Sequence, residues 1–331
     1  MSLRGKAAIV GVAESELGEV GPSLTPLDLI GQATKRALDD AGLVKNDVDG
    51  LFSASAYYHM PTLSVGECLG IRPRYSDASN MGGSSFVSHL LHAAAAIDAG
   101  LCKTALITYG STQRSDGGSL VSGSETLPYE SPYKARYPVS MYALAGSRHM
   151  YEYGTTREHL AEVAVSAREW AKLNPRAFKR DDLTIDDVLN SRMASSPLSV
   201  RDCCLVTDGG GAVILTSAER ARDLTQSPVY LLGVGEAHHH RNISQMSDLT
   251  STAAADSGRR AYDMAGVGPY NVDVVMLYDA FTINTVMFLE DLGFCEKGES
   301  GEFVSGGRIS PGGDLAVNTN GGGLSYNHPG M

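Results

Sequence analysis

The chain has 331 residues, 43% of them hydrophobic, which is enough for a large core or two domains. Its formal net charge is −11, from 27 basic and 38 acidic residues, and it has no long basic run, which argues against a nucleic-acid-binding surface. The five cysteines lack paired metal-ligand spacing, and their odd number indicates a reducing compartment.

Strands and helices are predicted to alternate over the first third of the chain. The run from Ala7 to Val12 predicts a buried strand and is too short for a signal peptide or a membrane span, so we expect a cytoplasmic protein without membrane association. Thr25-Pro26 is typical of a helix start, and Ala41-Gly42 of its end. The next predictions are a strand at 48–52, a short helix at 63–69, a helix at 86–99 buried on nearly every side, and a buried strand at 103–109.

The composition changes after residue 110. Gly, Ser, Pro and Tyr become frequent, strand signals weaken, and an amphipathic helix is predicted at 157–173. We interpret 111–200 as an inserted cap of helices and loops. Residues 1–110 plus 201–220 then form a first half, which a strand at 212–216 completes, and 221–331 form a second half.

The second half repeats the first. Residues 35–52 align without a gap on 259–276, at a constant offset of 224. The identical positions are Arg36, Ala37, Asp39, Ala41, Gly42, Val48 and Asp49, which recur as Arg260, Ala261, Asp263, Ala265, Gly266, Val272 and Asp273. Because strands alternate with helices in each half, the repeat predicts two α/β units.

Two glycine turns extend the repeat at an offset of 240. Asn80 to Phe86 reads NMGGSSF, and Asn320 to Tyr326 reads NGGGLSY. Each turn is predicted to begin a helix, so we expect bare backbone N–H groups at a positive helix end. The second turn continues to His328-Pro329, which places an imidazole and the Tyr326 phenol beside that end.

At this point the sequence resembles the thiolase superfamily, in its thiolase-like branch of lipid-transfer and sterol-carrier-protein thiolases. The resemblance spans nearly the whole chain and rests on RDCC (201–204), TDG (207–209), YDAF (278–281), LEDLGF (289–294), NTNGGG (318–323) and His328-Pro329. It implies a thiolase fold, in which two duplicated α/β halves form a layered αβαβα arrangement around a shared active site.

The chain departs from that family at the catalytic positions. Thiolases carry a nucleophilic cysteine at the first turn, whereas residues 80–86 contain none and Gly82 is its counterpart. Tyr278 replaces the family's Asn or His. The sequence also stops at Met331, before the position of the family's second cysteine, so we interpret it as truncated relative to the family. Acyl transfer through a cysteine thioester is therefore not expected.

The remaining groups favour aldol chemistry. The N–H groups of Gly82 and Gly83 can form an oxyanion hole for a thioester enolate, and the resemblance implies that His328 polarises the same carbonyl. Tyr278 and Tyr326 supply phenols that can exchange a proton with a hydroxyl. The sequence resembles the aldolases that cleave steroid side-chain CoA thioesters.

That resemblance also implies partners. We expect an acyl-CoA substrate, a homodimer, and a small OB-fold/zinc-ribbon partner protein that helps to bind the acyl-CoA. The CoA thioester is expected as substrate, with no bound cofactor and no metal. His238-His239-His240 are adjacent and cannot all face one ion, and Cys203-Cys204 are predicted to be small buried hydrophobes.

Three alternatives remain open from the residues alone. Tyr278 is equally consistent with a core tyrosine whose hydroxyl is satisfied by the backbone. The chain is also consistent with a non-catalytic thiolase-fold subunit or an acyl-CoA/lipid-binding protein. A decarboxylating or Claisen-type condensing enzyme is a third possibility, and the missing cysteine argues against it.

Overall fold

A six-stranded mixed sheet lies at the centre of the first half. The computed structural model describes residues 2–117, 129–224 and 227–330, so part of the predicted insertion, 118–128, lies outside the described residues. The strands are β1 (Ala7–Glu14), β2 (Gly50–Phe52), β3 (Tyr75–Asp77), β4 (Thr104–Ser111), β5 (Met193–Ser195), β6 (Leu198–Ser199), β7 (Gly209–Ser217), β8 (Val229–Tyr230), β9 (Val274–Val275) and β10 (Ala316–Val317).

Helices cover this sheet, and three more lie in the described part of the insertion. They are α1 (Pro26–Ala41), α2 (Pro61–Leu69), α3 (Ser85–Asp98), α4 (Val139–Tyr153), α5 (Arg157–Leu173), α6 (Ile185–Leu189), α7 (Ala218–Ala221), α8 (Ala254–Ala265), α9 (Thr282–Asp291) and α10 (Ser300–Val304). No helix in the described ranges is both long and apolar enough to cross a bilayer.

The order of the strands explains where the core lies. The sheet runs β3-β2-β4-β7-β1-β8, with β7 antiparallel to both of its neighbours and β2 parallel to β3 and β4. Strand β4 is buried along its whole length because helices pack on the sheet. The predicted α/β class is confirmed.

Sequence signals fix the ends of α1. Thr25 accepts the backbone N–H of Asp28, and the Asp28 carboxylate accepts the N–H of Thr25, which forms a capping box. Gly42 ends the helix with φ 67°, a left-handed conformation that favours glycine. The predicted helix from Thr25-Pro26 to Ala41-Gly42 is therefore confirmed.

The internal repeat is confirmed in three dimensions. Helix α8 ends at Gly266, which has the same φ of 67° as Gly42. A 3₁₀ turn follows in each half, at Lys45–Asp47 and at Pro269–Asn271, and each turn leads into a strand, β2 or β9. The offset of 224 thus aligns helix, turn and strand.

The second half is less regular than the repeat suggests. In the described residues its own strands form a two-stranded parallel sheet, β9–β10, while β8 pairs with β1 at the edge of the first sheet. Helix α3 packs on β4 and β7, but its opposite face is open to solvent at Val87, which is 67% exposed. The prediction of a helix at 86–99 buried on nearly every side is wrong for that reason.

The described part of the insertion consists of helices and loops, as predicted, apart from one short hairpin. Helix α5 has the bounds expected from its amphipathic pattern, and a capping box at Thr156 begins it. A short hairpin of β5 and β6 was not expected, because the strand signals there are weak. The division of the chain into domains stays a prediction.

Candidate functional site

The second glycine turn is a single π-helical turn, Gly322–Tyr326. Gly321 and Gly322 have φ values of 105° and 59°, and a Cβ at Gly322 would overlap the Asp279 carboxylate. That carboxylate accepts the N–H of Gly323 at 2.6 Å and of Leu324 at 3.4 Å. Glycine is therefore required where the turn wraps around Asp279.

The expectation of bare N–H groups at this turn is wrong. Asn320 Oδ1 accepts the N–H of Gly322 at 2.8 Å, and Asp279 accepts the N–H of Gly323. A buried helix end needs such acceptors, and the fully buried carboxylate next to Tyr278 supplies them. Burial raises the pKa of Asp279 to about 6, although the two backbone hydrogen bonds oppose the rise.

The first glycine turn is more open. Gly82, at φ 72°, donates its N–H to Asn80 Oδ1 at 3.1 Å, while Gly83 is exposed and donates none of the backbone hydrogen bonds found in the described part of the chain. A Cβ at Gly83 would lie 4.0 Å from Cε2 of Tyr278. Of the predicted oxyanion-hole pair, Gly83 thus offers the more accessible N–H.

Tyr278 and His328 come together beside this turn. The Tyr278 hydroxyl lies 3.4 Å from His328 Nε2, and the two ring centroids are 5.9 Å apart. The His328 backbone N–H donates to Thr207 Oγ1 at 2.7 Å, and the Thr207 N–H donates to the His328 carbonyl at 3.2 Å. Thr207 therefore fixes the histidine, while Tyr278 stays 47% exposed and open to a ligand.

The surroundings of the two rings raise the pKa of Tyr278 and lower the pKa of His328, so each ring is held in its neutral form. Desolvation by the surrounding protein, together with Tyr142, Cys204 and Asp279, raises the pKa of the Tyr278 phenol, and the 47% exposure of this side chain limits that rise. Burial lowers the pKa of His328. The pair is then a neutral phenol beside a neutral imidazole at pH 7. His328 Nδ1 is buried and has no hydrogen-bond partner among the described residues. Such a pair can pass a proton between its two rings.

Tyr326 points elsewhere. Its hydroxyl donates to the carboxylate of Glu14, which also pairs with Arg176 at 2.7 Å. The ring is buried against Ala171 and Ala177 of the insertion. The sequence placed Tyr326 beside His328, but the hydroxyl is directed to β1 because the insertion packs over the ring.

Sequence reasoning missed Asp279 and Thr207 as parts of this site. Both lie inside motifs that were recognised, and a buried acid directly after Tyr278 was the available signal. Cys204 also lies close by, since a Cβ at Gly323 would be 3.6 Å from its Cβ. Burial raises the pKa of the Cys204 thiol to about 12, so it is not a thiolate nucleophile.

The described residues contain no group of three or more His, Cys, Asp or Glu side chains that could hold a metal ion. The three adjacent histidines diverge, as predicted: His238 contacts Glu236, and His239 contacts Asp256.

Two repeated α/β units, with a glycine turn from each half near one Tyr–His pair, define a thiolase-like protein. The family described as "Thiolase C-terminal domain-like" matches residues 235–331. An acetyl-CoA acetyltransferase of Methanothermobacter thermautotrophicus is 33% identical, covering 97% of this chain and 86% of that protein. A steroid side-chain-cleaving aldolase of Thermomonospora curvata is 32% identical, covering 98% and 88%.

A solved structure, the "Ltp2-ChsH2(DUF35) aldolase", is also similar. It matches with a TM-score of 0.90 and 32% identity, covering 99% of this chain and 87% of that one. The chain belongs to the thiolase superfamily and resembles the steroid CoA aldolases of its thiolase-like branch.

Proposed function

We propose that the chain is a CoA-dependent aldolase that cleaves a β-hydroxyacyl-CoA by a retro-aldol reaction. The observation that carries the proposal is the Tyr278–His328 pair beside Gly83, at a turn that has no cysteine. Relatives at about 32% identity named as aldolases support it, and one of them is named for steroid side-chain cleavage. We extend the proposal to a steroid side-chain thioester as the substrate.

The chemistry follows from the two neutral rings. Tyr278 oxygen takes the proton of the substrate's β-hydroxyl while its own proton passes to His328 Nε2, so that the phenol relays the proton and the imidazole is the base that holds it. The bond between the α and β carbons then breaks, which gives a ketone or aldehyde and an acyl-CoA enolate. The N–H of Gly83 stabilises the enolate oxygen, with Gly82 shaping the turn. The proton on the pair finally returns to the α carbon, and a shortened acyl-CoA leaves.

Tyr326 has a different part in this proposal. Its hydroxyl donates to Glu14, and its backbone carbonyl accepts the N–H of Phe178 at 3.1 Å. We propose that it positions the turn that carries Gly323, and that Tyr278 is the proton-transfer tyrosine.

Two other functions are less well supported. The acetyltransferase relative suggests acyl transfer, but the first turn has no cysteine and the pKa of the nearby Cys204 is about 12. A non-catalytic subunit or acyl-CoA/lipid-binding protein would have no use for a tyrosine beside a buried histidine.

The test is to incubate the protein with β-hydroxyacyl-CoA thioesters and follow the ketone and the shortened acyl-CoA by mass spectrometry. Tyr278→Phe should lower turnover by roughly 10²–10⁴-fold with little change in CoA binding, because it loses only a proton-transfer hydroxyl. His328→Ala should be as severe. Tyr270→Phe is the matched control, since that ring is 96% exposed.

Two results would favour a non-catalytic subunit. The first is full turnover by Tyr278→Phe on a verified substrate. The second is CoA binding without cleavage of any β-hydroxyacyl-CoA, whether or not a partner protein is added.

We also propose a homodimer that carries an OB-fold/zinc-ribbon partner. Strand β3 forms one edge of the six-stranded sheet, with unpaired backbone groups available to a second copy. Light scattering at micromolar concentration should report a dimer, and a stable monomer would contradict this part of the proposal.

A further inference from the structure

A cavity lies next to the Tyr278–His328 site, and residues that border the site separate the two. It has a volume of about 190 Å³, and Cys204 and Leu324 belong to its lining. Both also border the site, because Cys204 donates its N–H to the Ala280 carbonyl at 2.8 Å and Leu324 follows Gly323 in the π-helical turn. The aldol chemistry proposed above makes no use of this cavity.

Positive charge faces the cavity. Arg168, Lys179 and Arg201 line it, and no carboxylate of the described residues belongs to the lining, although the whole chain carries a charge of −11. Asp181, outside the lining, is close enough for all three cations to lower its pKa. The thiols of Cys203 and Cys204 stay neutral, because burial raises the pKa of each to about 12. The cavity therefore has a local charge opposite to that of the protein.

Arg168 is the deepest of these cations and is only 3% exposed. Its Nε donates to Ser325 Oγ at 3.0 Å, and Nη1 donates to the Asp181 carbonyl at 2.9 Å. The Asp181 carboxylate lies 3.1 Å from Nη1, but that side chain is 58% exposed. Burial, opposed by Asp181 and aided by the nearby Arg201, lowers the pKa of Arg168. One exposed carboxylate is thus the close counter-charge for a buried arginine with a second arginine beside it.

The rest of the lining is apolar. Leu183, Leu205 and Leu324 face the same space as the cations. An inorganic oxyanion would match the cations but leave this wall without a partner, whereas a neutral apolar molecule would leave the three cations with the exposed Asp181 carboxylate as their shared counter-charge. A small anion with an alkyl body satisfies both surfaces.

We propose that this cavity binds a short-chain organic carboxylate. Its carboxylate contacts Arg168, Lys179 and Arg201, and its alkyl part lies against the leucines. The occupied cavity would also act on the site. Arg168 holds the Ser325 side chain, and the backbone N–H of Lys179 donates to the Ser325 carbonyl at 3.0 Å, so both residues contact the turn that presents Gly323.

The test is isothermal titration calorimetry of the full chain with sodium butyrate, with inorganic phosphate and n-butanol as the comparison ligands. Butyrate should bind saturably, and phosphate and butanol should bind at least tenfold more weakly. Lys179→Gln and Arg201→Gln should each weaken butyrate binding by about tenfold, because each loses a charge-assisted contact. Arg180→Gln is the matched control, since it removes an exposed cation next to Lys179 that does not line the cavity.

Three results would overturn the proposal. The first is no saturable butyrate binding at tens of millimolar. The second is phosphate binding as tightly as butyrate, and the third is equal affinities for all the variants. Both rim side chains are exposed, so we expect the variants to fold, and a thermal melt checks this. If a variant melts early, the comparison of the three ligands on the unsubstituted chain decides the outcome.

Discussion

Tyr278 and Tyr326 show how far a single residue can be assigned from sequence. The prediction that Tyr278 lies beside His328 agrees with the 3.4 Å contact, because both belong to motifs whose backbones run next to each other. The direction of the Tyr326 side chain depends on Glu14, which is 312 positions away in the chain, and on alanines of the insertion. Local patterns cannot supply such a partner. The role of Asp279 was not predicted for the same reason: its carboxylate accepts the N–H groups of Gly323 and Leu324, which lie 44 and 45 positions further along the chain.

Tyr326→Phe separates positioning from chemistry. The variant loses the hydrogen bond to Glu14, whose side chain is 37% exposed and keeps Arg176 as its partner, so the free energy of unfolding should fall by about 1 kcal/mol. Turnover on a verified substrate should fall far less than in Tyr278→Phe. Urea titration and steady-state kinetics measure the two effects. A loss of turnover equal to that of Tyr278→Phe, with unchanged stability, would instead place Tyr326 in the chemistry.

At the level of elements, the sequence predicts the repeated helix, turn and strand because each has local signals. The repeat extends to a segment that the alignment at offset 224 does not include. Ala7–Glu14 and residues 229–236 both end in the pattern Gly-Val-x-Glu, at an offset of 222. The two glycines of this pattern, Gly11 and Gly233, pack in the same way on the helices α1 and α8. A Cβ at Gly11 would overlap the carbonyl oxygen of Ala37, and a Cβ at Gly233 would overlap that of Ala261. How the strands of the second half are arranged depends on long-range pairing, which the repeat alone did not predict.

Gly233→Ala tests whether this segment packs on α8 as β1 packs on α1. The added methyl group would overlap backbone, so the free energy of unfolding should fall by roughly 1–3 kcal/mol or more. Gly11→Ala should have a similar cost for the same reason. Gly268→Ala is the control, because nothing lies within 4 Å of its Cβ position. Urea denaturation measures all three, and an unaffected Gly233→Ala would contradict the packing.

At the scale of the whole molecule, buried polar contacts join the parts that the sequence separates. Glu290 of α9 contacts His149 of α4, so that the insertion is attached to the second half. On the other side, Glu14 of β1 contacts Arg176 of the insertion and Tyr326 of the turn. The sequence identified Glu290 only as part of a family motif, because its histidine lies 141 positions away.

The Glu290 contact predicts a dependence of stability on pH. Its side chain is fully buried, 3.0 Å from His149 Nε2 and 3.1 Å from Lys297 Nζ. Burial alone would raise its pKa, but hydrogen bonds from His149 and Ser300 and the charges of His149 and Lys297 lower it to about 2. Because the pKa is lower in the folded state than its ordinary value of 4.5, the contribution is present above pH 4.5 and is lost as the pH falls toward 2. Its size is on the order of 3 kcal/mol.

Glu290→Gln should therefore lower the free energy of unfolding by about 3 kcal/mol or more at pH 6, since Lys297 loses its buried counter-charge and His149 loses its carboxylate partner. The difference from the unsubstituted chain should stay nearly constant between pH 6 and pH 5 and shrink as urea titrations are repeated at pH 4, 3 and 2, because the contribution of Glu290 declines from its ordinary pKa of 4.5 down to its folded pKa of about 2. Glu302→Gln is the matched control, because the Glu302 side chain is 86% exposed and its nearest histidine nitrogen is 3.9 Å away. The free energy of unfolding of this variant should follow that of the unsubstituted chain at every pH. If Glu290→Gln and the unsubstituted chain lose stability in parallel between pH 6 and pH 3, the buried pair does not hold the insertion to the second half through its charge.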